Sequence, residues 1–233
     1  MSYKELTTRR YPATLLLPGD AFDTDSYQLM GRRVAGREFA TGIVKNLHQG
    51  EELNILVYSE KEKEKLKTML SPYILNHTSL NIQTDINNSS LNKIENLHIP
   101  GPDIEKWSIL RANYSSNKFS ITGIIFTLCS NKILDGFKDY IFGGLESWDA
   151  LVCISSAGKE VVERTIDYYH DSFERKYNTK ITKNKRPQLC TIPLAVNDIT
   201  YSKLFTRQEK RLKARETLGI SENAIVILFL GRL

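Results

Sequence analysis

The chain has 233 residues, 41% hydrophobic and 25% charged, with a formal net charge of +5. That balance excludes a disordered or fibrous chain and allows one large domain or two small ones. Its apolar runs fall far short of the ~20 residues a membrane helix needs, and the opening MSYKELTTRRYPATLLLPGD lacks a signal peptide's long apolar segment. The expected location is cytoplasmic.

In chain order, TLLLPGD (14–20) reads as a buried strand stopped by Pro18 and Gly19. Asp23, Asp25 and Ser26 can cap a helix with the stripe Met30, Val34, Ala40, Ile43, Val44 and Leu47, stopping at Gly50. LNILVYS (53–59) is a second strand, followed by a charged helix to about Leu70. SLNIQTD gives a short strand and INNSSLNK a loop. IENLHIPGPD is a strand ending at His98, broken by Pro100-Gly101-Pro102, with Trp107 and Arg111 in the loop beyond. SITGIIFTL (120–128) is a further strand, and its following helix is capped near Ser130 and closed by Gly143-Gly144. WDALVCIS (148–155) leads through a cap at Ser155 or Ser156 into a long helix with the inner stripe Val161, Val162, Thr165, Ile166, Tyr169 and Phe173. PQLCTIPLAV (187–196) is the last strand of the set.

Five or six parallel strands alternating with helices predict a Rossmann-like, doubly wound α/β domain over residues 1–196. Such sheets bind ligands beyond the carboxyl ends of their strands, here after Leu17, His98, Thr127 and Ser155. Residues 197–223 read as a connector with a basic helix ended by Gly219, and AIVILFLGRL (224–233) as a strand opening a second sheet.

The cysteines, Cys129, Cys153 and Cys190, are too far apart for a disulfide framework or zinc pair. The histidines, His48, His77, His98 and His170, show no metal-ligand spacing either, and no metal is expected. The basic runs 174–186 and 203–215 are candidates for peripheral contact with an anionic membrane surface. Nucleic acid fits less well, because aromatics do not interleave with the cations. Neither a Gly-rich dinucleotide loop nor a P-loop is present.

The stretch from Ile192 to Leu233 resembles the interdomain junction of retaining family-4 glycosyltransferases of the GT-B fold. The matching residues are Ile192-Pro193, Val196-Asn197, Phe205, the helix end Arg215-Glu216-Thr217-Leu218-Gly219, and Phe229-Leu230-Gly231-Arg232; Ala195 replaces the usual glycine. Upstream, LMGRRVAGREF, GPDIEKWSILR, SITGIIFTLCS and SWDALVCISSAGKEVV look like one branch of that family.

The resemblance implies an N-terminal acceptor-side domain, 1–196, with the C-terminal half of the GT-B fold cut short after its first strand. It implies transfer of a sugar from a nucleotide-sugar to a glycan or lipid-linked acceptor with retention, without a metal or other cofactor. The E-x7-E donor motif would lie beyond Arg232, so this polypeptide alone is expected to be inactive. Carried over residue by residue, Gly19 and Arg232 would meet the donor phosphates; Asp20, Arg32, His98, Arg111 and Thr127 would meet the acceptor. Phe126 stands where related enzymes place a histidine on the donor sugar, and it can neither donate a hydrogen bond nor carry a proton. The catalytic residue is left unassigned, with His98 a candidate and a structural histidine the equal alternative reading. The alternative is a non-catalytic glycan- or phosphate-binding domain, or a degenerate fragment.

Overall fold

The computed structural model describes residues 9–25, 30–75, 78–84, 94–113, 118–182, 186–195 and 208–228. The chain divides into two compact units, Met1–Leu194 and Ala195–Leu233.

The first unit is built on seven parallel strands: β1 (Arg9–Leu16), β2 (Glu51–Leu56), β3 (Ser79–Gln83), β4 (Asn96–Ile99), β5 (Ser120–Ile125), β6 (Ala150–Cys153) and β7 (Gln188–Thr191). They lie in the order β3-β2-β1-β4-β5-β6-β7. Sequence patterning expected five or six.

The helices of this unit are α1 (Gly19–Phe22), α2 (Gly31–Lys45), α3 (Glu60–Leu70), α4 (Glu105–Ala112), α5 (Asn131–Gly136), α6 (Asp139–Phe142) and α7 (Ser156–Tyr177). On one sheet face, Leu15, Leu53, Ile55 and Val57 pack with Ala40 and Val44 of α2 and Leu66 and Leu70 of α3. On the other, Leu16, Leu97, Ile121 and Leu151 pack with Trp107 of α4, Phe137 and Tyr140, and Val162 and Ile166 of α7. Burial on both faces is why β1 ends in an unbroken leucine run rather than an alternating one.

Four local expectations are corrected. The first long helix begins at Gly31 with Met30 at its N-cap, and ends before Asn46 rather than at Gly50. Asp23 is committed elsewhere: its carboxylate takes the Asp25 amide and an ion pair from Lys65. Trp107 and Arg111 sit in helix α4, not in a loop. The helix expected over 130–144 is two short ones, α5 and α6. The Ser155 cap is present, its Oγ accepting from the Gly158 amide at 3.0 Å, but His170 rather than Val161 completes the buried stripe of α7.

In the second unit, α8 (Gln208–Thr217) stops at Gly219, which has φ +65°, and the Ile220 amide donates back to the Arg215 carbonyl at 2.8 Å. Residues 224–228 form no strand; Ile225 and Ile227 are over 90% exposed. A strand needs a ladder partner, and within the described residues this stretch has none. Residues 229–233, including Gly231 and Arg232, lie outside the described residues, as do Val196, Asn197 and Phe205 of the junction pattern.

Candidate functional site: the crevice between β1 and β4

β1 pairs with β2 on one side and β4 on the other, and the chain winds outward in opposite directions from this pair. The loops leaving their carboxyl ends therefore diverge, and a crevice opens between them. A cavity of about 490 Å³ lies there. Pro18 and Ala21 line it from the β1 side, and Pro100, Gly101, Pro102 and Asp103 from the β4 side. Tyr58 follows β2, Lys132 and Ile133 come from α5, and Trp107 and Tyr140 form much of the remaining wall.

Two glycines permit this construction. A Cβ on Gly36 of α2 would sit 2.1 Å from the Ala21 carbonyl oxygen, so only glycine lets α2 press against α1. A Cβ on Gly123 would sit 2.7 Å from the Gly101 carbonyl oxygen, and the Ile124 amide bonds that oxygen at 3.2 Å. The Pro-Gly-Pro loop thus lies flat against β5.

The wall is mostly aromatic and aliphatic; the charges are Arg32, Lys132 and the Asp103-Glu105-Lys106 group. Lys106 hydrogen-bonds Asp103. Burial pulls the Lys106 ammonium down, but the bond and charge of Asp103 outweigh it and its pKa is raised. Burial raises the Glu105 carboxyl above its usual range, and raises the Tyr58 phenol. Tyr140 is driven well above the ordinary phenol value by burial, and its hydroxyl donates to the Pro102 carbonyl. The cavity thus combines an apolar wall with a mixed set of charges, of which Lys106 is paired with Asp103.

The sequence-derived residues divide. Arg32 lines the cavity and forms an ion pair with Asp20, which also accepts from Arg33 at 2.8 Å. The Asp20 carboxylate thereby offsets two cations in the first turn of α2, where the helix dipole disfavours them. Gly19 is at the expected turn, but its amide donates to Glu62 Oε1 at 2.7 Å. Phe126 and Thr127 follow β5 without lining the cavity; Thr127 Oγ1 accepts from the Cys129 amide at 3.3 Å.

Two placements are corrections. Arg111 is fully buried at the amino ends of β5 and β6, the opposite end of the sheet from the crevice, so it cannot meet an acceptor. His98 faces the α2 side of the sheet, its ring 4.9 Å from Phe39 and Nδ1 3.0 Å from Thr122 Oγ1. Desolvation lowers its pKa to about 4, leaving it neutral at neutral pH and outside the cavity lining.

Tyr58, Glu62, Glu105, Lys106 and Lys132 were missed as site residues. For Glu105 and Lys106 the sequence did carry a signal, since charges directly after a Pro-Gly-Pro strand stop belong at a carboxyl end. Glu62 was hidden inside a run of alternating charges.

The fold defines the class: a Rossmann-like α/β unit with its crevice at the strand-order switch. No known protein family, curated protein or solved structure matches the chain. No helix among the described residues is long and apolar enough to cross a membrane.

Proposed function

We propose that this unit is the acceptor-side domain of a retaining glycosyltransferase of the GT-B type. The single observation that carries the reading is the cavity at the β1/β4 switch, where an apolar wall meets Arg32, Lys106 and Lys132. A glycan or lipid-linked acceptor bearing phosphate has that combination of chemistries. The family-4 resemblance supplies the reaction: a nucleotide-sugar donor, retention of configuration and no metal. Two residues of the resembling stretches have structural roles: Gly36 seats α2 on α1, and Asp149 of the WDALVC stretch holds Arg111. In this reading the basic segments serve peripheral contact with an anionic membrane face from the cytoplasmic side.

Binding of farnesyl diphosphate, followed by calorimetry and amide NMR, tests the site. Saturable binding with shifts at Ala21, Gly101 and Lys106 is expected, weakened ~10-fold or more by Lys106→Glu with Lys132→Glu. Absence of binding, or binding indifferent to both charge reversals, overturns the reading. Phe126 and the absence of His98 from the cavity lining favour one second reading, a non-catalytic glycan- or phosphate-binding domain. Joining the chain to a donor domain separates the two, since only the first regains transfer.

A further inference from the structure

We infer that the C-terminal end of α7 carries a divalent transition-metal site formed by His170, Asp171 and Glu174. Their candidate ligand atoms all lie within 4.8 Å of one another. His170 is 3% exposed. Its Nε2 lies 3.2 Å from the Ile181 carbonyl oxygen, which can only accept, so Nε2 carries the ring proton. In the neutral ring Nδ1 then carries the lone pair, and this atom is buried with no hydrogen-bond partner. It points at two carboxylates, with Asp171 Oδ1 at 3.7 Å and Glu174 Oε1 at 3.9 Å.

A buried, unpartnered lone pair beside two anionic oxygens is a donor set awaiting a cation. Ligands about 2.1 Å from a tetrahedral zinc stand roughly 3.4 Å from one another, so each carboxylate closes on Nδ1 by a few tenths of an ångström, and the two carboxylates, within 4.8 Å of each other, close by up to about 1.4 Å through side-chain rotation. The Ile181 carbonyl orients the imidazole from behind, as outer partners of metal-bound histidines do. The Ile181 amide holds Glu174 Oε1 at 2.9 Å. Asp171 is exposed and opens onto a hollow of about 600 Å³, leaving a coordination position for water. Imidazole with carboxylates selects zinc, cobalt or nickel over magnesium and calcium. Lys180, 2.8 Å from Glu174 Oε2, and the nearby Arg175 oppose a cation, so the affinity is modest.

The test uses the full chain with the exposed Cys129 replaced by serine, so that its thiol does not compete. Zinc is titrated by calorimetry, and cobalt by its visible absorption. One equivalent of zinc is expected, with a raised unfolding temperature and a cobalt band. H170Q and E174Q should weaken binding by ~10-fold or more and abolish the band. D171N changes only an exposed carboxylate, keeps the fold and should also weaken binding. No one-to-one uptake, or uptake that D171N, E174Q and H170Q leave within about twofold of the unsubstituted chain, overturns the site.

Discussion

Arg111 and Asp149 form a two-pronged ion pair in which neither side chain has any solvent exposure. Arg111 Nη1 and Nη2 reach the two carboxylate oxygens at 2.6 and 2.7 Å. The same guanidinium donates to the Phe119 and Gly144 carbonyls, and the same carboxylate accepts from the Ile121 and Glu146 amides. The pair therefore ties α4 to the starts of β5 and β6. Replacing Arg111 by methionine strands a buried charge and should cost about 3–5 kcal/mol in urea unfolding. An isolated pair is often replaced by two apolar residues without loss. Here Arg111→Met with Asp149→Leu should remain destabilised by at least ~2 kcal/mol, because four backbone groups lose their partners. Recovery of full stability by the double variant would contradict this network.

His98 should make stability depend on acidity. Its folded pKa of about 4 lies below the ordinary value of 6.5, so the unfolded chain binds the extra proton first. Its contribution is complete above pH 6.5, is lost as pH falls toward 4, and is level below that. The full shift corresponds to roughly 3 kcal/mol at 1.36 kcal/mol per unit, and the ring's partial exposure reduces this to about 1–2. In His98→Gln the loss between pH 6.5 and 4 should shrink by that amount relative to the unsubstituted chain. Identical pH profiles of unfolding free energy for the two proteins would sink the assignment.

Strand interiors were legible because their apolar runs are local; strand ends were not, because pairing sets them. β1 begins at Arg9 because its backbone pairs with Glu51, which nothing in RRYPA announces. At the other end Leu17 is buried and its amide still donates to the Leu56 carbonyl at 2.9 Å before the turn into α1. The crevice was foreseeable from topology, and Arg32, expected at the acceptor, lines it. Arg111 misled because its partner is 38 residues away and turns a candidate ligand into a core residue. His98 misled for a similar reason: its place near a strand's end did not reveal that its side chain takes the α2 face.

Gly36 and Gly42 occupy the same helix, and only one is needed. Alanine at Gly36 would drive its Cβ to 2.1 Å from the Ala21 carbonyl oxygen, a backbone atom that cannot move alone. α1 must then separate from α2, and the cost should be about 2 kcal/mol or more, typical of overpacking. Nothing lies within 4 Å of a Cβ at Gly42. Gly42→Ala should therefore stabilise by about 0.5–1 kcal/mol through helix propensity. Denaturant midpoints of the two variants should move in opposite directions, and ligand binding at the crevice should suffer only in Gly36→Ala.

Glu62 holds the place where the resemblance puts a phosphate. Ser59 caps α3 by accepting the Glu62 amide at 3.3 Å, and the glutamate side chain turns back over the ends of β1 and β2. Oε1 accepts from the Gly19 amide at 2.7 Å and Oε2 from the Tyr58 amide at 2.8 Å. Two backbone donors at a helix start, converging on one anion, are what a phosphate oxygen pair would use. The carboxylate supplies the charge internally, so inorganic phosphate should leave the unfolding temperature of the unsubstituted chain unchanged beyond a general salt effect. Glu62→Ala removes both acceptors and should cost about 1–3 kcal/mol. It should also make the protein responsive to phosphate, since a ligand that binds only the folded state raises its stability with concentration. Sulfate at matched ionic strength should act similarly, and chloride should not. If Glu62→Ala shows no more response to phosphate than the unsubstituted chain, the Gly19 turn is a structural turn and the anion belongs elsewhere in the crevice, at Lys106 and Lys132.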